Sequence, residues 1–255
     1  MKNETTIQRA EATSKRRSVV LLGLGLGMAL AALVALAGAA QKADAAFTEK
    51  VLFVSDRTSG TGVSNPTGDA EIFRMNPDGT GVRQLTFNKA DDFGPILSPD
   101  GTRITYMTFG EQTSNPEGDW EVYVMNASDG KGKRNLTDNG ADIYDFSPLF
   151  SPGGRRIAYV SYGKQDSNQE GDYEIYRMGA LDGTGQTNLS NNGAGVFDHF
   201  LSGFSSDGSR IFYQSNGVQY SNPQGDNEIY RLNTSDGKGQ KNLTDNDAYD
   251  GVYPD

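Results

Sequence analysis

The chain has no cysteine and only one histidine, His199, among its 255 residues. The absence of thiols excludes disulfide bonds and any zinc or iron–sulfur site built on cysteine. A single imidazole means that any Ser-His-acid arrangement would depend on His199. Basic residues are outnumbered, with 23 Lys and Arg against 33 Asp and Glu and a net charge of −10. An acidic surface repels nucleic acid and anionic lipid, so we expect neither as a partner.

The first 46 residues differ in composition from the rest of the chain. Lys15, Arg16 and Arg17 precede an uncharged stretch, residues 18–41, that is rich in Leu, Ala and Gly. Ala43-Asp44-Ala45 then fits a cleavage site with small residues. This layout predicts a signal peptide over residues 1–46 and an exported protein, periplasmic or extracellular. The alternative is an uncleaved anchor, since about 23 apolar residues span a bilayer, and membrane contact would then be confined to this segment.

One phrase recurs four times along the remaining chain. In the second copy it reads SNPEGDWEVYVMN, starting at Ser114. The Asp of its Gly-Asp pair recurs every 50 to 54 residues, at Asp69, Asp119, Asp172 and Asp226. A self-similar unit of this length is typical of solenoids and propellers.

Each unit contains four short runs of β-branched and aromatic residues. In the second unit these runs are PILS (95–98), RITYMT (103–108), EVYVM (121–125) and RNLT (134–137). Turn residues such as Pro99-Asp100-Gly101 separate them, which is the pattern of an antiparallel meander. The sequence therefore predicts an all-β fold over residues 47–255, a four-bladed β-propeller of four-stranded antiparallel blades.

The two ends of this region read as complementary halves of one blade. The first unit begins at Phe47 without an innermost strand, and Tyr249–Asp255 reads as the start of one. We expect the C-terminal strand to pair into the N-terminal blade and close the ring, which removes exposed sheet edges. A half-ring that dimerises is the alternative, so the sequence leaves a monomer and a homodimer open.

The units SPDG-x-x-I-x-Y and GD-x-E-I-Y-R-M-N resemble the propeller repeats of the TolB family and of some prolyl peptidases. The resemblance covers residues 47–255. It implies an exported, non-catalytic protein that binds a protein or a cell-envelope polymer. Two features depart from the pattern, because TolB proteins carry an extra α/β domain before the propeller and usually six blades. Nothing in the chain resembles the Gly-x-Ser-x-Gly elbow of the peptidases.

Alternation of strand direction places the long SNPxGD loops and the crossings between blades on one face, here called the long-loop face. Insertions on one side of a repeat protein mark its binding face. Trp120 breaks the repeat there and would stack on a sugar or a peptide. The candidate binding residues on this face are Trp120, Tyr144, Asp145, Asp198, His199, Tyr249 and Asp250.

The acidic residues in the crossings between blades are candidate metal ligands. Four carboxylates converging at the channel mouth would hold calcium, because hard cations prefer oxygen ligands. The candidate ligands are Asp92, Asp145, Asp198 and Asp250. The simpler interpretation is that the repeated acids fix turns and that no cofactor is bound. The rival function is a carbohydrate-active hydrolase or lyase at the channel mouth, where His199 breaks the repeat beside Asp198, although no catalytic residue can be assigned.

Overall fold

The computed structural model describes residues 50–165, 167–218, 222–246 and 248–251. In these ranges the chain forms four antiparallel sheets whose strands are hydrogen-bonded in sequence order. The first sheet comprises β1 (Val51–Ser55), β2 (Glu71–Met75) and β3 (Arg83–Gln84). The second comprises β4 (Asp91–Leu97), β5 (Arg103–Phe109), β6 (Trp120–Asn126) and β7 (Arg134–Asn135). The third comprises β8 (Tyr144–Phe150), β9 (Arg156–Tyr162), β10 (Tyr173–Gly179) and β11 (Thr187–Asn188). The fourth comprises β12 (Phe197–Phe204), β13 (Arg210–Asn216), β14 (Glu228–Asn233) and β15 (Lys241–Asn242).

The all-β prediction and the antiparallel meander of each unit are confirmed. The sheets stack in chain order, because β4 packs on β1 and β2, β8 on β5 and β6, and β12 on β9 and β10. Residues 252–255, the larger part of the expected closing strand Tyr249–Asp255, and residues 47–49 at the start of the first unit lie outside the described residues. Closure and a count of four blades therefore stay predictions.

The predicted signal peptide, residues 1–46, also lies outside the described residues. Within the described ranges, no helix is long and apolar enough to cross a bilayer.

Tight hairpins join the first and second strands of each unit. In the SPDG turn, Asp100 Oδ1 accepts hydrogen bonds from the Thr102 amide at 3.0 Å and from the Ser98 hydroxyl at 2.6 Å. Asp207 repeats both contacts in the fourth sheet, with Ser209 and Ser205. Acids in these short turns therefore fix the backbone.

Each sheet has two apolar faces because successive side chains along a strand point in opposite directions. We call the face toward the preceding sheet the leading face and the face toward the following sheet the trailing face. In the second sheet, Tyr106 and Tyr123 on the leading face pack with Leu85 of the first sheet. Val122 and Leu136 on the trailing face pack with the third sheet. All five side chains are at most 3% exposed.

A pair of tyrosines recurs on the leading faces of the last three sheets. Their ring centroids lie 5.7, 5.6 and 5.8 Å apart, and the pairs are Tyr106 with Tyr123, Tyr159 with Tyr176, and Tyr213 with Tyr230. Such aromatic pairs add to the burial of their large apolar area. The core is thus a series of equivalent layers between successive sheets.

Glycines in the turn before the fourth strand set the spacing between each of the last three sheets and the sheet that precedes it. A Cβ added to Gly183 would lie 2.1 Å from the carbonyl oxygen of Leu136 in the preceding sheet. Gly130 approaches Leu85 to the same distance, and Gly237 approaches Leu189 to 2.0 Å. These positions also have positive φ. Glycine is required there twice over, once by the turn and once by the close approach.

Replacing Gly183 with alanine tests this contact. Gly195 is the matched control, because its φ is +82° against +71° and a Cβ there meets nothing within 4 Å. The left-handed backbone lowers the free energy of unfolding of both variants by about 1–2 kcal/mol. Only Gly183→Ala also forces two sheets apart, so we expect it to lose about 1–3 kcal/mol more in denaturant unfolding. Equal losses in the two variants would contradict the close-approach argument.

Candidate functional site

The acids of the crossings lie inside the stack of sheets. Asp92, Asp145 and Asp198 are the second residues of β4, β8 and β12, and all three are 0% exposed. Each accepts a hydrogen bond from the side-chain amide of an asparagine that follows the preceding sheet. The donor–acceptor distances are 2.9, 2.5 and 2.8 Å, from Asn88, Asn139 and Asn192 respectively.

The same asparagines bind a glutamate of the preceding sheet. The backbone amide of Asn139 donates to Glu121 Oε1 at 3.3 Å, and the hydroxyl of Thr137 donates to Glu121 Oε2. We call the set Glu121, Thr137, Asn139 and Asp145 a joint network. Equivalent joint networks are Glu71, Thr86, Asn88 and Asp92; Glu174, Ser190, Asn192 and Asp198; and Glu228, Thr244, Asn246 and Asp250.

Burial dominates the electrostatics of these networks. It raises the pKa of Glu71, Glu121 and Glu174 to about 8, against an ordinary value of 4.5. It raises the pKa of Asp145 and Asp198 to about 7. Desolvation disfavours a carboxylate more than the hydrogen bonds from Thr, Ser and Asn favour it. At neutral pH the joint networks of Glu71, Glu121 and Glu174 therefore retain protons, and the two carboxyl groups of each are not both charged.

The four crossing acids occur in four separate joint networks, not around one ion. In the part of the chain that the structure describes, no group of three or more His, Asp or Glu side chains is placed to hold a metal. This arrangement differs from the shared calcium site predicted from the sequence. The reason is that an asparagine of the preceding sheet binds each acid, so the carboxylates are used to connect sheets.

Asparagine also fixes the SNPxGD loops. Asn115 Nδ2 donates to the carbonyl oxygen of Asp119 at 2.8 Å, and its Oδ1 accepts the amide of Gly118 at 3.0 Å. Asn65, Asn168 and Asn222 do the same. The sequence predicted that the repeated acids fix turns, and in these loops the asparagine does so. The recurrence of Asn in all four loops was the signal that could have identified it.

Aromatic side chains gather where strands of the second and third sheets meet the long-loop face. Trp120, the first residue of β6, stacks on Phe109 with ring centroids 5.1 Å apart and contacts Phe93 at 5.7 Å. In the third sheet, Tyr162 stacks on Tyr173 at 4.6 Å.

Two further aromatics extend this group. Tyr144 contacts Tyr162 at 6.1 Å, and Phe197 of the fourth sheet contacts Tyr173 at 6.2 Å. Trp120, Tyr144 and Tyr173 also pack on one buried cluster that spans the sheets. We call this set the aromatic strip: Phe93, Phe109, Trp120, Tyr144, Tyr162, Tyr173 and Phe197.

Part of the aromatic strip faces solvent. Phe109, Tyr162 and Phe197 are 42%, 36% and 38% exposed, respectively. In the first sheet the residues that correspond to Phe109 and Trp120 are Asp56 and Ala70, so the strip does not extend there. The strip is therefore a local departure from the repeat, on the face that the loop lengths indicated.

The predicted binding residues divide into three groups. Trp120 and Tyr144 belong to the aromatic strip. Asp145 and Asp198 are fully buried in joint networks, so the prediction that they contact a ligand is not supported by their placement. Asp250 belongs to the fourth joint network and is half-buried. Tyr249 is 63% exposed, and its hydroxyl lies 3.5 Å from Gln214 Nε2. Sequence reasoning missed Phe109, Tyr162, Tyr173 and Phe197, because each occupies an ordinary strand position.

His199 does not form a dyad with the neighbouring acid. Its Nδ1 lies 2.8 Å from the backbone carbonyl oxygen of Phe197, and its ring packs edge-on to Phe200. Burial lowers the pKa of the imidazole. Asp198 is bound instead to Asn192. His199, which breaks the repeat at this crossing, and Asp198, whose counterparts recur in every joint network, thus have different partners.

The repeat and its fold have known counterparts. A family model, the TolB beta propeller domain, matches residues 43–253. The chain belongs to the TolB β-propeller family. The resemblance noted in the repeats is thereby confirmed. A protein TolB homolog from Chlorobaculum tepidum is 32% identical over 132 residues, which cover 51% of this chain and 26% of that protein.

Solved structures show the same fold at lower identity. TolB from Acinetobacter baumannii aligns at a TM-score of 0.53 and 20% identity, over 78% of this chain and 42% of that chain. Hydrazine synthase from Kuenenia stuttgartiensis aligns at a TM-score of 0.53 and 16% identity, over 76% of this chain and 31% of that one. This TolB-family chain thus spans less than half of each of these three proteins. The likeness to these structures is one of fold, and one fold hosts many functions.

The joint networks of this TolB-family chain predict how its stability varies with pH. Between about pH 5 and 8, the folded state keeps protons on Glu71, Glu121 and Glu174 that the unfolded state has released. The free energy of unfolding should therefore fall as the pH rises through this range. Asp207, whose pKa is lowered to about 2 by the Ser205 hydroxyl, adds a loss of stability only at lower pH. Urea unfolding at a series of pH values measures the slope.

Glu121→Gln is the variant that assigns the slope to a joint network. A carboxamide resembles the protonated acid but does not titrate, so the variant should lose less stability between pH 5 and 8 than the unmodified chain. Glu117→Gln, at an exposed position in the preceding loop, is the control and should keep the original slope. An unchanged slope in Glu121→Gln would show that the pKa of Glu121 is not raised in the folded state.

Proposed function

We propose that this chain is an exported, non-catalytic propeller that binds a protein partner in the cell envelope through the aromatic strip. The observation that carries the proposal is the exposure of Phe109, Tyr162 and Phe197 on one face of neighbouring sheets. Phe109 stacks on Trp120, Tyr162 and Phe197 both contact Tyr173, and Trp120 and Tyr173 pack on the same buried cluster. Protein interfaces are enriched in aromatic residues, which act as rigid anchors of large area. Membership of the TolB family supports a binding role for the propeller.

Acidic side chains border the aromatic strip. Glu117 and Glu170 are exposed in the loops that lead into β6 and β10, and Asp142 is exposed just before β8. A partner that fits this face would present apolar side chains at its centre and Lys or Arg at its rim. Charges at the rim of an interface mainly raise the association rate, so binding should weaken as salt concentration rises.

The placement of His199 supports a non-catalytic role over a carbohydrate-active hydrolase or lyase. Its Nδ1 faces a backbone carbonyl, and the adjacent acid, Asp198, is buried in a joint network. Such an enzyme needs a carboxyl group that reaches substrate. The rival class is tested by the same variants, because stacking on a sugar ring would also use Trp120 or Tyr162.

The double variant Trp120→Ala, Tyr162→Ala tests the strip. The full chain serves as bait for envelope extract, and the captured protein is then purified and titrated against each variant by calorimetry. We expect the double variant to bind about tenfold or more weakly, since single interface anchors contribute at least about 1–2 kcal/mol.

Leu181→Ala is the matched control for this experiment. Leu181 is 61% exposed and lies in the turn between β10 and β11, on the face opposite the long loops. Its loss should leave affinity unchanged. Equal affinity of both variants would contradict the strip as the binding surface. Retention of a polysaccharide instead of a protein, with turnover of that polymer, would favour the rival enzyme class.

The proposed export has its own measurement. If residues 1–46 are a signal peptide, the mature protein begins near Ala46 or Phe47 and is found outside the cytoplasm. Mass spectrometry of the N-terminus in fractionated cells decides this. Recovery of intact residues 1–41 in the membrane fraction would instead indicate a tethered protein.

A further inference from the structure

The same contact between sheets occurs three times in the described part of the chain. Each time, a leucine on the trailing face of one sheet packs on the leading face of the next. The leucines are Leu85, Leu136 and Leu189, exposed by 1%, 3% and 3%. Each carbonyl oxygen also meets the backbone at a turn glycine of the next sheet: Gly130, Gly183 and Gly237. We call this contact the leucine–glycine joint.

The fourth sheet carries the leucine half of a further joint. Leu243 follows β15 as Leu189 follows β11, but it is 42% exposed. Ile229 lies on the same trailing face and is half-buried, whereas its counterparts Val122 and Ile175 are 0% exposed. The trailing face of the fourth sheet therefore has the residues of a joint without the burial.

The first sheet carries the glycine half. Gly79 corresponds to Gly130, Gly183 and Gly237, and its φ is +83°. A Cβ placed there meets nothing within 4 Å, whereas at the other three glycines it would collide with a leucine carbonyl. The backbone of the first sheet thus has the shape that accepts a leucine carbonyl, and none of the described residues fills it.

The side chains of this leading face match the internal pattern. Phe53 and Phe73 are directly opposite in the β1–β2 register and stack at 5.4 Å, at the positions of the tyrosine pairs in the other sheets. Phe73 is 0% exposed, like its counterpart Tyr123 at 2%, but Phe53 is half-buried, whereas its counterpart Tyr106 is 1% exposed. The guanidinium of Arg57 lies over both rings, about 5 Å from each centroid.

Charged residues on the two terminal faces also correspond to a pair that lies between internal sheets. In the third sheet, Arg177 donates to the carbonyl oxygen of Ser235 at 2.9 Å, and it is attracted to Asp236 in the turn of the fourth sheet. The corresponding arginine of the fourth sheet is Arg231. The corresponding acid of the first sheet is Asp78. The two terminal faces are therefore complementary in charge as well as in shape.

We propose that two copies of this chain join head to tail through these faces. The trailing face of the fourth sheet in one copy packs on the leading face of the first sheet in the other, with Leu243 against Gly79. None of the described residues fills either half, and the two halves are complementary, so a second copy is an occupant that fits. A twofold axis makes two identical junctions and closes a ring of eight sheets, at the upper end of the usual range for propellers.

Gly79→Asn tests the junction. Asparagine tolerates positive φ, so the variant adds a side chain to the socket with little backbone strain. Gly195→Asn is the matched control, because its φ of +82° and its open surroundings equal those of Gly79. Light scattering of the full chain over a range of micromolar concentrations should show a dimer. We expect Gly79→Asn to raise the dimer dissociation constant about tenfold or more and Gly195→Asn to leave it unchanged.

A second measurement places the contact between copies. Because the chain has no cysteine, Asp78→Cys and Arg231→Cys introduce single thiols that a short thiol-specific cross-linker can join. A mixture of the two variants should give a covalent dimer in higher yield than either variant alone. An unmodified chain that is monomeric at every concentration would overturn the proposal. So would a dimer that survives both Gly79→Asn and Leu243→Asp. The strip variant Trp120→Ala, Tyr162→Ala should remain dimeric, which separates this surface from the proposed partner site.

Discussion

The close approach of a glycine in one sheet to a leucine carbonyl in the preceding sheet is the constraint on which the rest of the structure depends. It fixes how near successive sheets lie, and that spacing lets the tyrosine pairs fill the layer between them. It also brings each crossing acid within hydrogen-bond distance of an asparagine that leaves the preceding sheet. A larger side chain at Gly130, Gly183 or Gly237 would separate the layers and with them the joint networks.

Repetition made the fold readable from the sequence, and the same repetition hid part of the site. Alternating runs such as RITYMT and EVYVM, with glycine and proline turns between them, predicted strand order and direction because local pattern decides both. Which acid meets which amide depends on contacts across sheets, so Asp145 was predicted to face a channel and is buried against Asn139. The aromatic strip escaped notice because Phe109 and Tyr162 look like ordinary strand residues until their exposure is known.

Buried carboxyl groups and the exposed aromatics perform different tasks in this chain. The joint networks recur in every unit, and residues that recur in this way hold units together. The strip occurs mainly in the second and third sheets, where Trp120 and Tyr173 replace the small or polar residues Ala70 and Asn227. A propeller can hold such a patch in place because its supporting strands are packed on both faces. Stability and recognition are thereby assigned to separate sets of residues in one repeat.

The protons retained in the joint networks change how the molecule moves in an electric field. The formal charge of −10 counts every Asp and Glu as ionised. Glu71, Glu121 and Glu174, with pKa values of about 8, are mostly neutral at pH 7 in the folded protein. The native chain should therefore migrate toward the anode more slowly than its composition implies. On denaturation these groups ionise, and the net negative charge of the chain rises.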